Sequence, residues 1–315
     1  MKRKNMKNIS AIAFFIIFTF LFSIPSSASV NGTFLYTLSN FNGSIPYQWG
    51  RVVVDRAHDE IYVIYQSIVT VFNENGMEIY RFGEDINLGQ VLDLSVERDG
   101  DIFLLCYKNS LFSIIQCNYR GEPKSEFAFR NLPPDFSKFA PSRMIFHEGG
   151  NVYFFSHHDM KAIITDRDGN FKEGYDLANL AGIEEKDKPD TEIIGFSVDK
   201  EGNLLFTIPV LFLAYKVTPD KQVFSFGKPG GAPGKFGIIA GILSDDRGNI
   251  LITDKLKCVV GVYDKNFNFI NAFGYRGLGD SNLIAPDDIA IDSKERIYVS
   301  QARKRGVSVF KLSYE

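Results

Sequence analysis

Six copies of one short pattern run along this chain, and a sequence built that way has few folds open to it. Each copy is an apolar run, a tight turn, and a second run rich in β-branched and aromatic residues. The turns and second runs read RAHDEIYVIY, ERDGDIFLLC, HEGGNVYFF, DKEGNLLFT, DDRGNILIT and DSKERIYVS. Their first apolar residues after the turn, Ile61, Ile102, Val152, Leu204, Ile250 and Ile297, are 41, 50, 52, 46 and 47 residues apart. Further runs and turns fill each interval, as in IVTVFNENGMEIYRF, AIITDRDGNFKEGY and VVGVYDKNFNFINAF, so the period is that of a four-stranded blade. No comparable window carries helical periodicity, although residues 175–188 have room for a short helix in a loop.

A four-stranded unit of this size has two apolar faces and cannot bury either alone, whereas radial stacking around an axis covers both and leaves only short edges. With 45% hydrophobic and 14% aromatic residues, the chain has material for such a core. The predicted fold is therefore all-β, a six-bladed β-propeller over residues 29–315. The last copy ends after three strands, IAID, IYVS and VSVFKL, while Thr33-Phe-Leu-Tyr-Thr-Leu38 precedes the first copy and resembles the fourth strands elsewhere. It is expected to complete the last blade and close the ring, because opening such a ring would uncover two blade faces at once.

Ahead of that strand, Lys2, Arg3, Lys4 and Lys7 lead into an apolar run from Ile9 to Ile24, then Pro25 and the small residues Ser26-Ser27-Ala28. This is the pattern of an export signal over residues 1–28, with cleavage after Ala28. The run is shorter than the roughly 20 residues of a spanning helix, so no membrane span is expected after cleavage and the protein is expected to be periplasmic or extracellular. Cys106, Cys117 and Cys258 lie in strand-like contexts without metal-ligand spacing and read as buried thiols. Cys106 sits beside a hairpin turn and Cys117 far from it, so the two should not pair. A net charge of −3 gives no reason to expect nucleic acid as a partner.

The later copies carry a signature. FGKPGGAPGKF at 226–236, GILSDDRGNILITD at 241–254, VGVYDKNFNFINAFG at 260–274 and APDDIAIDSKERIYVS at 285–300 together resemble the NHL repeat, strongly in blades five and six and weakly in one to three. The glycines suit the crossing from an outer strand to the next inner strand, and the Asp or Asn before each turn suits capping of that turn. These are needs of the fold, so the resemblance implies architecture rather than activity. NHL repeats usually carry an Arg before the first valine of the third strand, where this chain has Val259 and Gly306. A partner surface depending on that arginine is not implied.

In propellers the ligand face usually bears the loops from outer to next inner strand and from second to third strand. Aligning the inner strands puts Arg51, Asp93, Arg143, Gly195, Gly241 and Asp288 at one equivalent place near the channel mouth, where the family pattern has glycine. Two readings stand: a polar ring that binds a ligand, with Arg51, Asp93, Arg143 and Asp288 as its members, or Arg/Asp pairs that satisfy one another and plug the channel. On the same face the second-to-third-strand loops carry Lys108, His157, His158, Lys161, Lys255, Lys257, Arg303, Lys304 and Arg305. The candidate rim is His157, His158, Lys255, Lys257 and Arg303 to Arg305, able to meet an acidic surface or a polyanion. The charge-dense stretch 182–190 is expected to be a solvated loop joining blades three and four on that face.

Some six-bladed relatives hold a catalytic zinc with three histidines. Here His58 and His147 fall on the face opposite His157 and His158, and neighbours in a strand point apart, so no three converge. Lactonase-type relatives use carboxylates around calcium, for which Asp93, Glu192, Asp287 and Asp288 could supply oxygens, although Arg51 and Arg143 would repel the ion. There is no GxSxG or HExxH motif. The expectation is an exported binding or scaffold propeller with no cofactor, recognising a protein, peptide or polymer at the channel mouth, with an envelope complex among the candidate partners. A metal-dependent hydrolase or lyase, with calcium at the mouth, is the alternative.

Overall fold

The structure is a computed structural model and describes residues 30–84 and 88–314. The export signal at 1–28 lies outside the described residues. Six four-stranded antiparallel sheets account for nearly all the regular structure. Blade one comprises Arg51–Asp55, Glu60–Tyr65, Ile68–Phe72 and Glu78–Phe82, and blade two Gln90–Val96, Ile102–Lys108, Leu111–Cys117 and Pro123–Phe127. Blade three comprises Arg143–Phe146, Val152–Ser156, Lys161–Thr165 and Phe171–Asp176; blade four Phe196–Val198, Leu204–Ile208, Leu213–Val217 and Val223–Phe226. Blade five holds Ile239–Ser244, Ile250–Asp254, Val259–Tyr263 and Phe269–Phe273. Each inner strand touches the inner strands of the blades on either side, which makes the array a ring of six.

Closure is as expected. Blade six pairs Ile289–Ile291, Arg296–Ser300 and Val307–Tyr314 with Val30–Thr37 from the other end of the chain, Phe34 standing opposite Phe310. The rings of that pair meet at 5.7 Å, and Phe310 also packs on Phe273 of blade five at 5.0 Å, so the closing strand is held laterally as well as along its edge.

The six marker residues Ile61, Ile102, Val152, Leu204, Ile250 and Ile297 are all buried, each in the second strand of its blade. Between blades the contacts are aromatic and aliphatic, with Phe155 of blade three stacked on Phe196 of blade four at 4.4 Å. A fully buried side chain of this class contributes about 1.5–3 kcal/mol. The turns owe their shape to one device. In blades three, four, five and six, Asp166, Asp199, Asp245 and Asp292 each accept two backbone N–H groups, from the residues two and four further on, at 2.8–3.1 Å. In the region with room for a helix, one turn forms over Leu177–Leu180, capped by the Asp176 carboxylate. Cys106 stands opposite Ser113 and Cys117 opposite Ile102, which separates the two thiols along the hairpin; both are buried, and burial pushes each up to about 12. Among the described residues no helix is long and apolar enough to cross a membrane.

Candidate functional site

The second strands fix where the inner-strand residues sit. Arg51, Asp93 and Arg143 stand opposite Ile64, Leu105 and Phe155. Gly195 and Asp288 accept from the amides of Thr207 and Ser300, and Gly241 accepts from the Thr253 hydroxyl. Each partner lies three residues beyond its blade's marker residue, so the six positions are equivalent.

They form two unlike halves. Across blades four, five and six the inner strands come so close that a Cβ on Gly195 would lie 2.1 Å from the Ala240 carbonyl oxygen, and one on Gly241 2.6 Å from that of Asp287. Threonine hydroxyls bridge this half: Thr207 donates to Ala240 at 2.6 Å and Thr253 to Asp287 at 2.7 Å. Across blades six, one, two and three, carboxylates bridge instead. Asp288 accepts from the Val52 amide and Asp93 from the Met144 amide, each at 2.8 Å, tying one inner strand to the next.

Arg51 lies between those carboxylates. Its Nε donates to Asp93 at 2.8 Å and its Nη1 to Asp288 at 2.9 Å. Burial works against the charge, but Asp288 and Asp93 outweigh it and hold Arg51 more firmly protonated than usual. Burial also opposes ionisation of Asp288; Arg51, Arg143 and the Val52 amide prevail and keep its carboxyl below the ordinary range. Arg143 is different. It forms a long ion pair with Asp288, Nη2 to Oδ1 at 4.0 Å, and among the described residues its guanidinium makes no hydrogen bond. Burial, then Arg51, push its pKa down, and the carboxylates offset them only in part. Three members of the predicted ring therefore satisfy one another, and the fourth keeps its donors.

The rim residues divide as sharply. Lys257 donates to the Ala232 and Lys235 carbonyls, and Arg305 to those of Leu278, Gly279 and Asn282, so both staple the loop entering a blade. Lys255 pairs with Asp287 at 2.7 Å and lies 5.5 Å from the Trp49 ring. His157 turns inward: its Nδ1 donates to the Ile193 carbonyl at 2.7 Å, its ring meets Phe155 edge-on, and burial, with Arg143 adding to it, lowers its pKa to about 4. His158, Arg303 and Lys304 are exposed at the rim. Lys161 donates to the Asp135 carbonyl.

The mouth opens into a polar pocket of about 300 Å³, lined by Arg51, Arg143, Asp287 and Asp288 and by four residues that sequence reasoning missed: Trp49, Gln66, Ser67 and Gln90. A neighbouring depression of about 310 Å³ is lined by Lys255, whose ammonium meets Asp287 of the first, by Pro189 and Asp190 of the charge-dense loop, and by Glu192, Val210 and Ile238. On the opposite face Arg56 of blade one grips Asp246 of blade five with two hydrogen bonds, at 3.0 and 2.6 Å.

His58 and His147 sit at first-to-second-strand turns, against Asp55 and the Asp199 carbonyl. Among the described residues no group of three His, Cys, Asp or Glu is placed to hold a metal ion. Of the oxygens considered for calcium, those of Asp93 and Asp288 face Arg51 and backbone amides, and Asp287 faces Lys255.

No known protein family matches the sequence, and no curated protein is similar to it at the sequence level. The fold has many solved counterparts. Virginiamycin B lyase from Staphylococcus aureus superposes with a TM-score of 0.60 at 12% identity, over 90% of this chain and 99% of that one. An auxiliary nutrient binding protein from Bacteroides ovatus gives 0.60 at 13% identity, over 91% of this chain and 77% of that one. A proposed gluconolactonase gives 0.58 at 12% identity, over 92% and 94%. At these identities the likeness is one of fold.

Proposed function

We propose that the protein is an exported binding propeller that takes a protein, peptide or polymer ligand on the face bearing the channel mouth. The observation that carries this is the pair of adjoining depressions on one face, polar at the centre and flanked by exposed Trp49, Val210 and Ile238. A concave surface with a few polar groups and apolar walls is the usual form of a ligand site. The opposite face offers instead ion-paired turns around the Arg56–Asp246 contact. That one structural counterpart is a nutrient binding protein agrees with this use of the fold. Counterparts that are a lyase and a proposed gluconolactonase leave a metal-dependent hydrolase or lyase as the other use, but here the central carboxylates already hold arginine and lysine.

The test is chemical cross-linking of the full exported chain to its partner in the source cell envelope, with mass-spectrometric mapping. Cross-links are expected at Lys255 and Lys304 on the mouth face. Links confined to Lys200 and Lys265, at turns on the opposite face, would overturn the assignment.

A further inference from the structure

Arg143 is the odd member of the inner ring. A guanidinium offers five N–H donors, and those of Arg143, held only by a long ion pair to Asp288, face a pocket where water or a ligand supplies the acceptors. Its side chain is only 19% exposed, and the nearby carboxylates are committed, Asp93 to Arg51 and the Met144 amide, Asp288 to Arg51 and the Val52 amide. Beyond it lies the pocket of about 300 Å³, lined by the polar residues Gln66, Ser67, Gln90, Asp287 and Asp288 and by Trp49, with Ile64, Val91 and Leu92 as its aliphatic part.

That lining selects a ligand. Arg143 asks for an anionic acceptor of fork geometry, which a carboxylate meets. Asp287 and Asp288 on the same wall disfavour a dianion such as a phosphate monoester, and Asp287, whose Oδ1 meets Lys255, has its Oδ2 as an acceptor for a ligand hydroxyl. Gln66, Gln90 and Ser67 can both give and take hydrogen bonds with hydroxyls. Trp49 is fixed by its Nε1 bond to the Ala285 carbonyl at 3.3 Å and is 48% exposed, giving a flat apolar wall for the C–H face of a ring. We propose that the pocket binds a polyhydroxylated carboxylate, a free sugar acid or a uronic-acid unit of a polymer, with its carboxylate on Arg143. The inference rests on the mouth-face assignment and names the ligand chemistry for it.

Titration calorimetry of the full chain with glucuronate, glucose and glucose 6-phosphate tests it, using wild type, Arg143→Gln and Arg143→Lys. Glucuronate is expected to bind more tightly than either other sugar, to lose about tenfold or more with Arg143→Gln and to recover in part with Arg143→Lys. Because Arg143 makes no hydrogen bond to described residues and meets Asp288 only at 4.0 Å, the Gln variant is expected to keep a cooperative melt near that of wild type, which separates loss of binding from loss of fold. Equal binding of glucose and glucuronate, or no change in Arg143→Gln, overturns the proposal. A polymer is the source if oligogalacturonate binds more tightly than its monomer; a free acid is the source if it does not. Should glucuronate fail while cross-links still fall at Lys255 and Lys304, the sugar-acid assignment alone is lost; cross-links on the opposite face would remove the mouth-face assignment itself.

Discussion

Replacing Arg51 with Met removes the cation between two carboxylates and leaves Asp93, whose side chain is fully buried, and Asp288, which is 11% exposed, facing each other across the channel. Each keeps one backbone donor, Met144 N–H or Val52 N–H. Breaking a buried ion pair by removing one partner costs about 3–5 kcal/mol, and those surviving amides put the expected loss near the lower figure. With an unfolding entropy of roughly 2.1 cal/mol/K per residue, a chain of this length should melt about 5 °C lower at neutral pH. The pH dependence has a definite sign. In the native protein the folded Asp288 pKa is lowered, so its stabilisation is present above the unfolded value of about 3.9 and is lost as pH falls through the folded value. In Arg51→Met the main cation opposing the burial of Asp288 is gone and its carboxyl rises, so the destabilisation is full at pH 7 and is relieved as that carboxyl takes up a proton towards pH 4.

Calorimetric melts of both proteins from pH 4 to pH 8 therefore should show a gap that narrows with acid. Adding Asp93→Asn and Asp288→Asn to Arg51→Met removes the unpaired charges, keeps acceptors for the two amides, and is expected to recover more than half of the lost melting temperature. A fall below about 1 °C, or a gap equally wide at pH 4 and pH 7, would show that these carboxylates are not held by Arg51 in the way described.

Arg305→Ala should free the 278–282 loop through the loss of three hydrogen bonds to carbonyls, costing about 1–3 kcal/mol in urea unfolding, and Lys should not rescue it because the fork is lost; wild-type stability would contradict that role. Deleting residues 1–37 strips the last blade of its outer strand, and hydrogen exchange should report lost protection across Val307–Tyr314 with aggregation of the exposed edge; an intact monomer with native protection would mean that the ring does not need this clasp. His157 should stay neutral down to about pH 5 in an NMR titration, since its folded pKa lies near 4. The unfolded chain binds that proton first, so this residue withdraws stability as pH falls below about 6.5, and a midpoint near 6.5 in the folded protein would refute its burial.

Much of the fold could be read from residues because the blade is a local object: turn, strand and turn recur at a fixed offset, so Ile61 and Ile297 announce the same place in two blades. Ring closure was legible for a related reason, a surplus strand at one end matching a deficit at the other. The inner-ring positions followed from the same offsets. Pairing within them did not. Whether Arg51 or Arg143 takes both carboxylates depends on how neighbouring strands are spaced around the axis, and that spacing is set by contacts such as Thr207 to Ala240 that join residues 33 apart. For the same reason Lys257 and Arg305 read as free rim charges although their donors meet loop carbonyls, and Trp49 and Gln66 gave no signal, since loop residues belong to no period.

The asymmetry of the channel follows from those glycines and threonines. Where Gly195 and Gly241 let blades four to six close up, backbone and hydroxyl groups satisfy each other and the axis has no place for a charged side chain. The other half of the ring is filled by two arginines and two aspartates, and because each aspartate must also accept an amide from the next blade, its geometry is fixed by the fold rather than by its cation. One arginine can fit between two carboxylates held in that way. The second then lies at the edge of the charged half, next to the glycine half, and reaches Asp288 only at 4.0 Å. Thus an even count of charges still leaves one guanidinium without a hydrogen bond to described residues, and the same close packing that stabilises blades four to six leaves Arg143 facing the mouth pocket.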